Sequence, residues 1–201
     1  MLEGKDIPVA YFVWAACIFD FLDGFAARLL KTSSPIGKEL DSLADMVSFG
    51  VLPALLMYTS ISVQSSSSFL PFTGLLIAVA SALRLAIFNL DETQSDSFKG
   101  LPTPANALFI TALPLLDAPF FDFVQNPVVL VCICVAFSML LVSRIDLFAL
   151  KFKNFSWSDN KVRFLFLFLA MFLLVVFKLA AIPLIILSYI ALSLGVRMFS
   201  K

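Results

Sequence analysis

Apolar residues run through this chain in long blocks, and polar residues gather in short clusters between them. Blocks near 20 residues match the hydrocarbon thickness of a bilayer, and they are too uniformly apolar for one-sided burial in a soluble core. The pattern predicts helices over 8–30, 38–62, 69–90, 103–120, 127–150, 163–178 and 182–198. The breaks between them carry turn chemistry. KTSSPIG at 31–37 holds Ser, Pro and Gly, and QSSSS at 64–68 is a polar hairpin. DETQSDSFKGLP at 91–102 is charged and ends in Gly and Pro, and KFKNFSWSDNK at 151–161 is basic and polar. The break at 178–183 is the weakest, but without it one helix would be too long for a single span. The expected fold is all-α, a polytopic transmembrane helix bundle of about seven spanning helices, in one domain over 1–201.

Composition sharpens this picture. With 61% hydrophobic and 14% charged residues, the chain lies far from soluble averages, and a net charge of zero argues against nucleic acid as a partner. There is no histidine, which removes the commonest general base and the usual zinc ligand. Cys17, Cys132 and Cys134 sit inside apolar runs and read as small apolar filler.

Charge also orients the bundle. With loop 31–37 in the cytoplasm and alternating helices, the inner segments collect Lys31, Lys38, Lys99, Lys151, Lys153, Lys161, Arg163, Arg197 and Lys201. The outer ones keep Lys5 and Lys178, with Asp117 and Asp122. That asymmetry is the positive-inside rule, and it turns the 20–45 region toward the cytoplasm. The same orientation puts Met1 outside, so a start upstream of this residue is expected.

Against this background, four aspartates at the facing ends of the first two helices stand out. An ionised group at a helix centre costs about 3 kcal/mol on insertion scales, so Asp20, Asp23, Asp41 and Asp45 need compensation. Asp20 and Asp23 are three apart, and Asp41 and Asp45 four apart, so each pair shares a helix face. A tight turn between the helices lets both pairs point into one pocket. Clustered carboxylates repel unless cations lie between them, and an all-oxygen site selects a hard ion, Mg²⁺ or Mn²⁺. Gly24, Ala27 and Gly37 leave backbone open beside the acids, and Arg28 is a bidentate donor suited to phosphate or to a carboxylate.

The string Asp20-x2-Asp23-Gly24-x2-Ala27-Arg28-x8-Gly37-x3-Asp41-x3-Asp45 resembles the signature of the CDP-alcohol phosphotransferases at every position. The resemblance implies two divalent ions, Mg²⁺ or Mn²⁺, with Asp20 and Asp41 shared, Asp23 completing one site and Asp45 the other. It also implies Asp45 as general base, and Gly24, Ala27, Arg28 and Gly37 as the cradle of the cytidine diphosphate. The segments Gly37 to Val51, Arg84 to Leu90 and Phe98 to Ala105 are similar to those of the serine-using branch, notably in Ser42-Leu43-Ala44 and Val47-Ser48-Phe49-Gly50. The implied reaction moves the phosphatidyl group of CDP-diacylglycerol to L-serine. Glycerol 3-phosphate or an inositol phosphate is the alternative acceptor.

The resemblance further implies a multi-pass protein of the cytoplasmic membrane, often a homodimer. By the same resemblance a further membrane helix is expected ahead of the one bearing Asp20, upstream of residue 1. Arg84 must face a partner rather than lipid, and with Lys99 it is a candidate contact for phosphate or a serine carboxylate. Arg144 and Asp146 read as structural, and the C-terminal third shows no motif. The competing class is a non-catalytic ion-coupled transporter, since acid pairs also line ion paths. The four acids gather near one face and no inverted repeat is visible, which weighs against it.

Overall fold

The computed structural model describes residues 8–32, 34–91, 97–117, 119–148 and 156–199. The expectations placed on Met1, Lys5, Lys151, Lys153 and Lys201 lie outside these residues, as do the side chains of Phe98 and Arg197.

The first helix, α1 (Val9–Leu30), follows Pro8 and stops where Lys31 turns left-handed at φ 52°. The Lys31 N–H then reaches back to the Ala27 and Arg28 carbonyls, which closes the helix end. Helix α2 (Pro35–Asp45) starts on a proline whose missing N–H costs nothing at that position, and the Ser34 hydroxyl accepts from the Gly37 N–H at 3.0 Å. A π-helical turn at Met46–Val51 joins α2 to α3 (Leu52–Gln64) without a break. The wider turn lets the chain change its inward face between the two helices. None of the α2 residues is buried, whereas α3 buries Pro53, Ala54, Met57 and Ile61.

A 3₁₀ turn at Leu70–Gly74 leads into α4 (Leu75–Leu90). Strand β1 (Ser97–Lys99) precedes α5 (Thr103–Ala112), and a short α6 (Phe120–Val124) precedes α7 (Pro127–Val142). Strand β2 (Asp146–Phe148) is followed by α8 (Trp157–Phe177) and α9 (Ala181–Phe199). The bundle is a polytopic membrane architecture. Val9–Leu30, Pro35–Gln64, Leu70–Leu90 and Asn160–Val196 are long and apolar enough to cross a bilayer, and Thr103–Leu115 and Pro127–Val142 are shorter apolar helices.

Three boundaries depart from the sequence expectation. The helix expected over 103–120 becomes a 3₁₀ turn at Leu113–Leu115, because Pro114 has no N–H to continue the ladder. The helix expected over 127–150 ends at Val142, where the Ser143 hydroxyl caps the Leu140 carbonyl at 2.9 Å. The chain then forms β2, which pairs antiparallel with β1 so that Lys99 faces Asp146. In the third, α8 already begins at Trp157, inside the stretch read as a loop. The weak break at 178–183 is real: Lys178 takes φ 51° and ψ −131°, so α8 and α9 are separate helices.

Met57, Ile61, Ile77, Ile110, Leu130 and Phe137 from α3, α4, α5 and α7 form the centre of the core, with Ile186 and Tyr189 of α9 against it. A smaller cluster of Val13, Phe49 and Ala107 attaches α1 to the π turn and α5. Gly100 fastens the ribbon to this core. Its φ of +74° favours glycine, its N–H donates to the Ile145 carbonyl at 2.9 Å, and the next N–H, of Leu101, donates to the Leu140 carbonyl at 2.9 Å.

Candidate active site

The middle of α1 and the C-terminal half of α2 bring three aspartates together. Carboxylate oxygens of Asp20, Asp41 and Asp45 all lie within 4.8 Å of one another. Three carboxylates this close repel strongly where water is scarce, and an oxygen-only donor set of this size suits a hard divalent cation. Asp23 stands outside that set but within electrostatic reach of all three.

Asp23 instead lines an adjoining cleft of about 540 Å³, together with Gly24, Ala27, Thr32, Ser34, Gly37, Lys38 and Asp41. Asp41 thus belongs to both the carboxylate cluster and the cleft. The cleft walls explain the small residues. A Cβ on Gly37 would stand 2.9 Å from the Ser34 hydroxyl oxygen, so the helix cap leaves no room for a side chain. A Cβ on Gly24 would sit 3.6 Å from an Arg28 nitrogen, so the guanidinium folds back over this glycine toward the wall. Five of the eight signature positions line the cleft, and Arg28 borders it through Gly24. Thr32, Ser34 and Lys38 are additional lining residues that the sequence reading did not assign. The Ser-Pro pair ahead of Gly37 is the signal that would have marked Ser34 as the cap.

A second cleft, of about 490 Å³, opens beside the first between α4, the β1–β2 ribbon and the end of α7. It is lined by Arg84, Phe88, Asp91, Lys99, Arg144 and Asp146, among others. Arg84 is the buried charged member, at 8% exposure. One of its guanidinium nitrogens donates to the Thr103 hydroxyl at 3.4 Å, its charge sits 5.6 Å from the Phe88 ring centre, and its Nε has no partner among the described residues. Asp45 and Tyr189 are within electrostatic reach of it. A buried guanidinium with an unpaired donor has the chemistry to donate to a further anionic or polar oxygen.

Lys99 has a different setting. Its ammonium pairs with Asp91 at 2.8 Å, so its charge is already engaged at the rim. Arg144 and Asp146, read from sequence as structural, both line this cleft. Nothing local in the sequence marks them, because ribbon pairing brings them there from the far end of α7.

The comparisons agree with this geometry. A family model described as CDP-alcohol phosphatidyltransferase matches residues 1–124, which include every signature position and the Arg84 segment. A CDP-diacylglycerol–serine O-phosphatidyltransferase of Bacillus subtilis is 36% identical over 138 residues, 67% of this chain and 71% of the relative. One of Helicobacter pylori is 34% identical over 174 residues, 85% of this chain and 70% of the relative. One of Mycobacterium leprae is 38% identical over 154 residues, 73% of this chain and 51% of the relative. With the aspartate signature folded around one cleft and the family model matching more than half of its length, the chain belongs to the CDP-alcohol phosphatidyltransferase family.

Proposed function

We propose that this chain is a CDP-diacylglycerol–serine O-phosphatidyltransferase, which transfers the phosphatidyl group of CDP-diacylglycerol to the hydroxyl of L-serine. The observation that carries the reading is the Asp20, Asp41 and Asp45 cluster at the edge of the cleft that holds Gly24, Ala27 and Gly37. The three named relatives, all serine enzymes, support the choice of acceptor over glycerol 3-phosphate or an inositol phosphate.

In this reading the cytidine diphosphate lies along Gly24, Ala27 and Gly37, where the bare backbone admits it, and Arg28 pairs with a phosphate oxygen. Asp20 and Asp41 would be shared by two divalent ions, Mg²⁺ or Mn²⁺, with Asp23 completing one site and Asp45 the other. Bound there, the ions supply positive charge that neutralises the diphosphate and the oxygens entering and leaving the phosphorus. Arg84 holds the serine carboxylate in the second cleft, and Asp45, within electrostatic reach of Arg84, receives the proton of the serine hydroxyl. Lys99, paired with Asp91, shapes the rim of this cleft. The serine oxygen attacks the phosphorus bearing the diacylglycerol, the bond from that phosphorus to the bridging oxygen breaks, and CMP departs with that oxygen on its cytidine-side phosphate.

The lysines and arginines beside the site, including Lys31, Lys38 and Lys99, support a cytoplasmic orientation in the inner membrane. A homodimer belongs to this reading through the family resemblance alone. The test is reconstitution of the purified chain into liposomes with CDP-diacylglycerol, labelled serine and Mn²⁺. Labelled phosphatidylserine and CMP should form in equal amounts. Product with glycerol 3-phosphate or an inositol phosphate, and none with serine, would reassign the acceptor.

A further inference from the structure

Helix α2 supplies two of the three clustered carboxylates, yet none of its residues is buried. Apolar packing alone is therefore a weak constraint on where Asp41 and Asp45 stand relative to Asp20. One end of α2 is fixed by continuity into the π turn at Met46. Along its length, at Lys38 and Ser42, α2 is tied to α4 by Asn89, in the last turn of α4. The Asn89 side-chain amide donates to the Ser42 hydroxyl at 2.8 Å, and the Asn89 backbone carbonyl accepts from the Lys38 ammonium at 3.0 Å. Among the described residues, the side-chain hydrogen bonds that tie α2 to another helix both end on Asn89.

The two tied residues are one turn apart, so they present one stripe of α2 to α4. Ser42 follows Asp41 directly, and Lys38 lies on the wall of the first cleft beside it. Asn89 itself lies between Phe88 and Asp91, two residues of the second cleft. The clasp thus joins the acid-bearing helix to the wall where the acceptor is proposed to sit.

We propose that Asn89 is a positioning residue for the divalent-ion site. It holds α2 at the distance from α1 at which Asp20, Asp41 and Asp45 share a cation. The proposal rests on the metal reading above. A merely structural hydrogen bond would contribute to stability without affecting ion affinity, and this difference makes the idea testable.

The experiment is Mn²⁺ binding, followed by electron paramagnetic resonance on the purified chain in detergent, together with its unfolding temperature in the absence of the ion. Asn89→Leu keeps the side-chain shape and removes the amide, and Ser42→Ala removes the other end of the bond. Each should weaken Mn²⁺ binding about 10-fold and raise by a similar factor the Mn²⁺ needed for half-maximal CMP release. The ion-free unfolding temperature should hardly move. Ser42→Thr keeps the hydroxyl and should restore binding. If Asn89→Leu does not fold, Ser42→Ala against Ser42→Thr carries the same expectation. Wild-type Mn²⁺ affinity in Ser42→Ala, or a loss that simply follows a lowered unfolding temperature, would overturn the clasp. A wild-type chain that binds no Mn²⁺ would overturn the metal reading and the clasp with it.

Discussion

Two regions of this molecule are built on opposite principles. The α1–α2 pair carries all four signature aspartates and buries little: Ala10 and Val13 in α1, and nothing in α2. Helices α3, α4, α5 and α7 carry most of the core, with Ile61, Ile77, Ile110 and Leu130 all essentially inaccessible. In the core, position is averaged over many small contacts, and each residue contributes only part of it. In the acid-bearing pair, position depends on a few specific links, namely the Ser34 cap, the Val13 contact and the Asn89 clasp. A site that must gather like charges cannot be held by apolar packing at the charges themselves, so the scaffold holds it from a distance.

This contrast is best challenged where the two regions meet. Arg84 belongs to the core by burial and to the site by charge. Arg84→Met replaces a buried cation with an apolar chain of similar length, so stability should hold or rise. The KM for serine should increase about 10- to 100-fold, in line with loss of a charged hydrogen bond. Kinetics with varied serine, beside an unfolding curve, would separate the two effects. Unchanged KM would remove Arg84 from acceptor binding.

Gly100 tests the scaffold alone. A Cβ there would lie 2.5 Å from the Leu141 carbonyl oxygen, on a backbone at φ +74°. Gly100→Ala should destabilise the chain by about 1–3 kcal/mol and lower the unfolding temperature, with Mn²⁺ affinity preserved. The smallest effect belongs to Leu29, 70% exposed on α1 outside the site. Leu29→Ala should change stability by less than about 0.5 kcal/mol and leave turnover at the wild-type rate. A large loss there would mean that α1 is held by contacts on its apolar outer face.

The same contrast governs what could be read from sequence. The aspartate pairs were legible because helical spacing is local, and Asp20, Asp41 and Asp45 do meet. The glycines beside them were legible for the same reason. Helix existence followed from long apolar runs, and α1 and α9 nearly match their expected limits. Features made by distant segments were not legible. The β1–β2 ribbon pairs residues from either side of α5 and α7, and it ends a helix that apolar pattern alone would extend to 150. Ribbon formation is also what carries Arg144 and Asp146 into the second cleft. The Asn89 clasp spans 47 and 51 positions, and no local pattern reports it. The π turn after Asp45 was invisible too, since MVSFGV reads as ordinary apolar helix.

The central claim is that the chemistry belongs to the acids of the exposed pair and that Asp45 takes the proton. The direct measurement is CMP release by Asp45→Asn at saturating CDP-diacylglycerol, serine and Mn²⁺, with nucleotide and Mn²⁺ binding measured on the same preparation. The substitution is nearly isosteric and removes the base, so release at saturating Mn²⁺ should fall by about 10²–10⁴-fold while nucleotide affinity stays largely in place and Mn²⁺ affinity, with one carboxylate ligand lost, weakens far less than release does. Release at the wild-type rate would contradict the assignment of Asp45 as the base.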